Sequence, residues 1–94
     1  MAKLIVKHRV ADFDVWKRAF LEHGSERRKH GFTGHSVLRD DTDPNIVTCV
    51  LAVGDPTRAK AFLASQDLHD TMARAGVQGP PEIYFCKTAH EEAY

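Results

Sequence analysis

Apolar and polar residues alternate along one short segment of the chain, and another segment is almost wholly apolar. Residues 3–10 place one set of mainly apolar side chains at every second position, which predicts a half-buried strand. Residues 33–39 and 82–87 are also predicted strands. Ile46–Val53 is rich in β-branched residues, as expected of a central strand. The turn residues at 40–45 predict a hairpin between the second and third strands.

Between these strands the apolar residues repeat at helical spacing. Asp12 is a predicted N-cap, and the helix after it is expected to run to about residue 29 or 30, before Gly31. Five of its side chains recur every three or four positions and so share one face: Phe13, Trp16, Phe20, His23 and Arg27. The basic run 27–29 is predicted to be solvated, because positive charge suits the C-terminal end of a helix.

The second helical region divides into two short helices. Asp55 is a predicted N-cap with Pro56 at the first helical position, and Ser65 is a second predicted N-cap. Gly76 is expected to end the second of these helices. Residues 79–81, Gly-Pro-Pro, predict an extended connection to the last strand.

The resulting order, β-α-β-β-α-β, predicts a ferredoxin-like α+β fold. Its four-stranded antiparallel sheet carries both helical regions on one face, with strands one and three in the centre. The third strand is apolar on both faces, so the uncovered face of the sheet would expose apolar surface. A two-fold homodimer that packs two sheets face to face is therefore predicted.

Length and charge narrow the class of protein further. Ninety-four residues predict one domain over residues 1–94. Thirteen basic and thirteen acidic residues give no net charge, which argues against a nucleic-acid partner. No apolar run is long enough for a membrane span, and no signal peptide is visible at the start. Cys49 and Cys86 are expected to be reduced thiols, which predicts a cytoplasmic protein.

The sequence resembles the small dimeric α/β-barrel proteins that are grouped with the antibiotic-biosynthesis monooxygenase-like domains. The resemblance extends over nearly the whole chain, and it is carried by residues 12–17 with Phe20, His23 and Arg27, and by residues 37–45, 61–65, 72–77 and 79–82. It implies a homodimer with a ligand cleft between the helices and the sheet of each subunit. This superfamily includes cofactor-independent monooxygenases, polyketide cyclases, haem-degrading enzymes and proteins of no known activity.

Histidines and aromatic residues supply the candidate chemistry. His23 and His69 are the predicted catalytic bases, because imidazole titrates near neutral pH. His69 also lies where the resemblance places a cyclase histidine, although the tyrosine partner expected there falls near Phe62, which has no hydroxyl. The predicted ligand-binding residues are His8, Trp16, Phe20, His35, Phe62 and Tyr84. No local metal-binding motif is present, and no cofactor is predicted.

Such a site is suited to proton abstraction from an aromatic or polyketide-like molecule. The carbanion formed would then react with dioxygen, as in a cofactor-independent monooxygenase, or attack an internal carbonyl, as in a cyclase. Two alternatives stay open at this point. One is a non-catalytic small-ligand-binding or stress-associated dimer, and the other is a haem-binding protein.

Overall fold

Strands and helices alternate along residues 2–94, the part of the chain that the computed structural model describes. The order is β1 (Ala2–Val10), α1 (Phe13–Glu22), α2 (Gly24–Lys29), β2 (Phe32–Arg39), β3 (Ile46–Val53), α3 (Pro56–Leu63), α4 (Gln66–Arg74) and β4 (Val77–Lys87). None of the helices in this range combines the length and apolar character needed to cross a membrane.

The four strands form one antiparallel sheet in the order β2-β3-β1-β4. In the central pair Leu4 lies opposite Leu51 and Val6 lies opposite Cys49, so inward-facing apolar side chains meet across the ladder. The predicted ferredoxin-like α+β fold, with strands one and three at its centre, is confirmed.

The helices cover one face of the sheet, and the core lies beneath them. Every second residue of β1 and β3 is buried there, together with Trp16, Phe32, Ala59, Phe62 and Ala75 from the surrounding elements. The other face of the sheet carries a second set of apolar side chains: Ile5, Leu38, Val50, Ala52 and Tyr84. Leu38 is 52% exposed and Tyr84 is 54% exposed, so this second face is open.

The predicted helix boundaries are confirmed at their N-terminal ends. The Asp12 carboxylate accepts hydrogen bonds from two backbone N–H groups of the first turn of α1, at 2.9 and 3.2 Å. Asp55 and Ser65 cap α3 and α4 in the same way. Gly31 and Gly76 follow α2 and α4 with φ of +84° each, a left-handed conformation that favours glycine.

Two segments differ from the prediction. The first helix is not continuous to residue 29: it is interrupted at His23, where α1 ends and Gly24 begins α2. A glycine propagates a helix poorly, so an interruption of the helix costs little there. β4 begins at Val77 and includes the Gly-Pro-Pro segment, which was expected to be a connection. Because β4 is an edge strand with a register shift opposite this segment, prolines are tolerated there.

Candidate functional site

A cavity of about 70 Å³ lies between the helices and the covered face of the sheet. Its floor includes Leu4 and Val6 of β1, with Cys49 and Leu51 of β3. Side chains from all four helices form its roof and sides, and its lining is mostly apolar. A small cavity with a mostly apolar lining favours a small apolar or aromatic ligand.

Three of the predicted ligand-binding aromatics line this cavity: Trp16, Phe20 and Phe62. Trp16 and Phe20 are one helical turn apart on α1, and their rings stack at a centroid distance of 4.9 Å. The Phe62 ring, from α3, lies 5.6 Å from the His23 ring. Both helical regions therefore contribute aromatic side chains to the cavity, which suits a flat ligand.

His8 is the most isolated polar group in the site. It lines the cavity from β1, it is 7% exposed, and neither ring nitrogen has a hydrogen-bond partner. Its ring lies 5.4 Å from the Trp16 ring. Burial lowers the pKa of His8 from its ordinary value of 6.5, because the charged form loses its hydration there. At neutral pH the uncharged imidazole is therefore favoured at His8.

His23 lies at the edge of the cavity, where α1 ends. Its Nε2 is 2.8 Å from the Asp67 Oδ2, so the ring is held against the first turn of α4. A carboxylate in this position fixes the orientation and tautomer of an imidazole. The same contact joins the two helical regions across the cavity. Asp67 was not among the residues predicted from the sequence.

Arg27 was predicted to belong to a solvated basic run, and this is wrong. The residue is 7% exposed, lines the cavity, and places its guanidinium carbon 3.7 Å from the centroid of the Phe20 ring. Burial lowers the pKa of Arg27, the nearby Cys49 acts to raise it, and Arg28 acts to lower it. Burial raises the pKa of the Cys49 thiol to about 12, so that thiol is protonated at neutral pH. A sequence signal for the buried position was present, because Arg27 continues the apolar face of α1 at a spacing of four from His23.

The remaining predicted site residues lie outside the cavity. The His35 ring stands nearly perpendicular to the Phe20 ring at a centroid distance of 4.9 Å, but its side chain lies in a neighbouring groove. His69 is exposed on α4 and is not part of the cavity wall. Tyr84 pairs with Ile5 and belongs to the open face of the sheet, on the side away from the helices.

The predicted histidines do not assemble into one cluster. His8 and His23 share the cavity, whereas His35 and His69 do not. Within residues 2–94 no three side chains of the types that usually bind metals lie close enough to hold an ion together. The haem-binding alternative stays a prediction.

The βαββαβ order, the single antiparallel sheet and the cavity beneath its helices define a ferredoxin-like α+β protein with an internal cavity. Comparison with solved structures gives the fold more closely: it is that of the antibiotic biosynthesis monooxygenase-like proteins. No protein-family model matches the chain, and no curated protein matches it in sequence.

Three solved structures illustrate this likeness. SnoaB, a cofactor-independent oxygenase from Streptomyces nogalater, has a TM-score of 0.78 and 14% identity, over 96% of this chain and 94% of that one. A candidate antibiotic biosynthesis monooxygenase from Nitrosomonas europaea has a TM-score of 0.69 and 20% identity, over 96% and 100%. A conserved protein from Methanosarcina mazei has a TM-score of 0.72 and 14% identity, over 92% and 90%. At these identities the likeness establishes the fold alone.

Proposed function

We propose that the cavity binds a small aromatic or polyketide-like molecule and that a histidine removes a proton from it. The observation that carries the proposal is His8, an uncharged and unpartnered imidazole in an apolar wall beside Trp16. A buried polar group without a partner costs about 1–3 kcal/mol. A ligand hydroxyl offers the missing hydrogen bond and the proton.

The chemistry begins with transfer of a phenolic or enolic proton to the free nitrogen of His8. The resulting anion is delocalised over the ligand and stabilised by the Arg27 guanidinium on the same cavity. In the oxygenase reaction the carbanion carbon then attacks dioxygen; a ring CH2 becomes C=O, and the second oxygen atom leaves as water. In the cyclase reaction the same carbon attacks an internal carbonyl, and no oxidant is consumed.

His23 is a second base in this proposal. Its ring lines the cavity while Nε2 contacts the Asp67 carboxylate, which fixes the orientation of the imidazole. His69, the other base predicted from the sequence, is exposed on α4, and the proposal does not depend on it.

Binding requires the cavity to widen, because 70 Å³ is less than the roughly 300–1,000 Å³ of most small-molecule sites. The helix best placed to move is α4, since none of its residues is fully buried. Leu68 and Met72 of α4 are only partly buried against the core, and a methionine repacks easily around a guest.

The proposal includes a homodimer formed through the open face of the sheet. Leu38, Val50 and Tyr84 would be covered when two such faces pack together, in keeping with the limited core that a chain of 94 residues can bury. Light scattering after size exclusion is expected to give twice the mass of one chain. Leu38→Lys should shift the protein toward monomers, whereas Lys17→Ala, on the helical side, should not. A monomeric wild-type protein at micromolar concentration would contradict the dimer.

The catalytic proposal is tested with anthrone-type and polyphenolic compounds. Oxygen uptake and product absorbance are measured for wild type, His8→Leu, His23→Ala and, as an exposed control, His69→Ala. We expect His8→Leu to lose most of the turnover, His23→Ala to lose part of it, and His69→Ala to retain it.

Three results separate the possible functions. Product without oxygen uptake identifies a cyclase. Saturable binding without turnover identifies the non-catalytic alternative. Turnover that survives in both His8→Leu and His23→Ala would refute the assignment of these bases.

A further inference from the structure

A second concavity, of about 260 Å³, lies beside the cavity, between α2 and the start of β2. Arg27, Phe32 and Leu51 line both spaces, so the two adjoin along these residues. The groove differs from the cavity in its chemistry, because Arg28 and His35 add further basic groups to its wall. We call it the basic groove.

Two guanidinium groups converge in the basic groove. A Cβ placed on Gly24 would stand 3.5 Å from the Arg27 Nη2 and 3.7 Å from the Arg28 Nη1. Both cationic ends therefore approach the same point, and the missing side chain of Gly24 leaves that point open. Like charges this close repel each other.

No acidic side chain relieves this repulsion within residues 2–94. Neither Arg27 nor Arg28 forms an ion pair or a side-chain hydrogen bond there. In contrast, Arg9 forms an ion pair with Asp43, and the nearby Glu26 forms one with Lys29. The positive charge of Arg27 also contributes to a lowered pKa of His35, after the larger effect of burial.

The packing of Arg27 indicates which of its surfaces is left for a partner. Phe20 covers one face of the guanidinium at 3.7 Å. The N–H donors, which lie in the plane of the group, are not used by any described residue. A planar guanidinium with free edge donors matches a carboxylate, which can accept two parallel hydrogen bonds.

We infer that the basic groove binds a carboxylate on the ligand whose apolar part occupies the cavity. The inference rests on the proposed function and names its substrate class: aromatic or polyketide-derived acids, held by Arg27 and Arg28 at one end. The adjacency of the two spaces supports such a two-part ligand. A neutral aromatic molecule would leave the two cations uncompensated.

The test compares 1-naphthoate with 1-naphthamide, which has nearly the same shape and no charge. Isothermal titration calorimetry with the full chain is expected to give at least tenfold tighter binding of the acid, and this preference should weaken as salt is raised. Arg27→Gln and Arg28→Gln should each reduce the preference several-fold. Arg58→Gln, an exposed arginine of α3, is the matched control and should leave it unchanged.

A third variant keeps both arginines. Gly24→Asp places a carboxylate at the point where the two guanidinium groups converge, and its contacts of 3.5 and 3.7 Å are sterically acceptable. We expect this variant to be at least as stable as wild type and to lose the preference for naphthoate while still binding naphthamide. It therefore remains informative if Arg27→Gln does not fold.

The outcomes distinguish the two proposals. Equal affinity of wild type for naphthoate and naphthamide would overturn the carboxylate site and leave the cavity proposal standing. Binding of neither compound would overturn both. A preference for naphthoate that persists in Gly24→Asp and Arg28→Gln would also overturn the site, because the charge must then be recognised elsewhere.

Discussion

Replacing His8 by leucine is expected to stabilise the protein while removing its proposed function. His8 is buried with an N–H donor and a nitrogen acceptor that lack partners, among apolar neighbours that include Trp16. Leucine has a similar volume and no polar atoms, so it fits this wall without the cost of desolvation.

The size of the effect follows from two opposing terms. Each unsatisfied polar group of His8 destabilises wild type by about 1–3 kcal/mol, and the variant is relieved of this cost. The variant also loses the contact between the His8 and Trp16 rings, which reduces its gain by about 0.5–1.5 kcal/mol. Two such groups minus the ring contact, each taken at the middle of its range, give a net gain of about 3 kcal/mol in the free energy of unfolding. For a chain of this size that corresponds to a rise in Tm of about 12–24 °C. Protein concentration is held constant, because dimerisation also raises Tm.

The pH dependence separates a titrating histidine from a simple packing effect. Above pH 6.5, the ordinary pKa of the ring, His8 is neutral in both the folded and the unfolded chain. Below it the unfolded chain binds a proton that the folded chain, with its lowered pKa, does not, so wild type loses stability as the pH falls. The advantage of His8→Leu should therefore grow between pH 7.5 and pH 5. His35 has a lowered pKa as well, but it is present in both proteins and cancels in the difference.

Thermal unfolding followed by circular dichroism at several pH values measures this directly. His69→Leu, an exposed change on α4, is the control and should alter stability by less than about 0.5 kcal/mol. A Tm for His8→Leu at or below that of wild type at pH 7.5 would refute the reasoning. It would mean that His8 is a satisfied structural residue rather than one left for a ligand.

Three further changes test other parts of the structure. Asp67→Ala removes the hydrogen bond that joins α4 to His23. Because the carboxylate is exposed, the variant should lose less than about 1 kcal/mol in the free energy of unfolding. Hydrogen exchange in α4 and the uptake of ligand should nevertheless become faster. Asp12→Ala removes the N-cap of α1 and should cost about 1 kcal/mol in urea unfolding. Gly31→Ala should cost more than about 1 kcal/mol, since φ is +84° and the new Cβ would lie 2.6 Å from the Asp55 Cβ.

Each change has a matched control on the same element or in the same class of residue. Asp70→Ala alters another acid of α4 without touching His23, and equal exchange rates in both variants would contradict the role of Asp67. Asp14→Ala removes an acid from the same helix turn as the Asp12 cap. A loss of stability equal to that of Asp12→Ala would indicate that the negative charge near the helix N-terminus, rather than the capping hydrogen bonds, stabilises α1. Gly34→Ala places a Cβ where no atom lies within 4 Å, and a loss equal to that of Gly31→Ala would contradict the steric argument.

The fold was predictable because its signals are local and repeat with a fixed period. Alternation in β1 and the apolar run of β3 defined the central strands, and capping residues such as Asp55 fixed where helices begin. The break at His23 was missed because Phe20 and Arg27 keep helical spacing across it. Periodicity records which residues face inward, and it does not record an interruption of the helix at one residue.

The site was only partly predictable, because it depends on which surfaces meet in three dimensions. The sequence placed Trp16 and Phe20 on an inward helical face, and the structure has them lining the cavity. It did not reveal that Tyr84 belongs to the opposite face of the sheet, since a strand displays both faces within two residues. Nor did it reveal the contact of His23 with Asp67, which lies 44 residues further along the chain.

His8 and Arg27 share a property that distinguishes them from the rest of the core. Packing explains the burial of the Arg27 stem, and stacking on Phe20 stabilises the folded protein by about 0.5–2 kcal/mol. Neither supplies a counter-charge for the guanidinium. The unpartnered nitrogens of His8 lower the stability of the folded protein, and they form no hydrogen bond that offsets this loss. In a chain of 94 residues with a limited core, an unpartnered imidazole and a guanidinium without a counter-charge on one small cavity are best explained by a ligand that pairs with both. A molecule with an acidic hydroxyl and a carboxylate would do so, and its binding should raise the Tm of wild type more than that of His8→Leu.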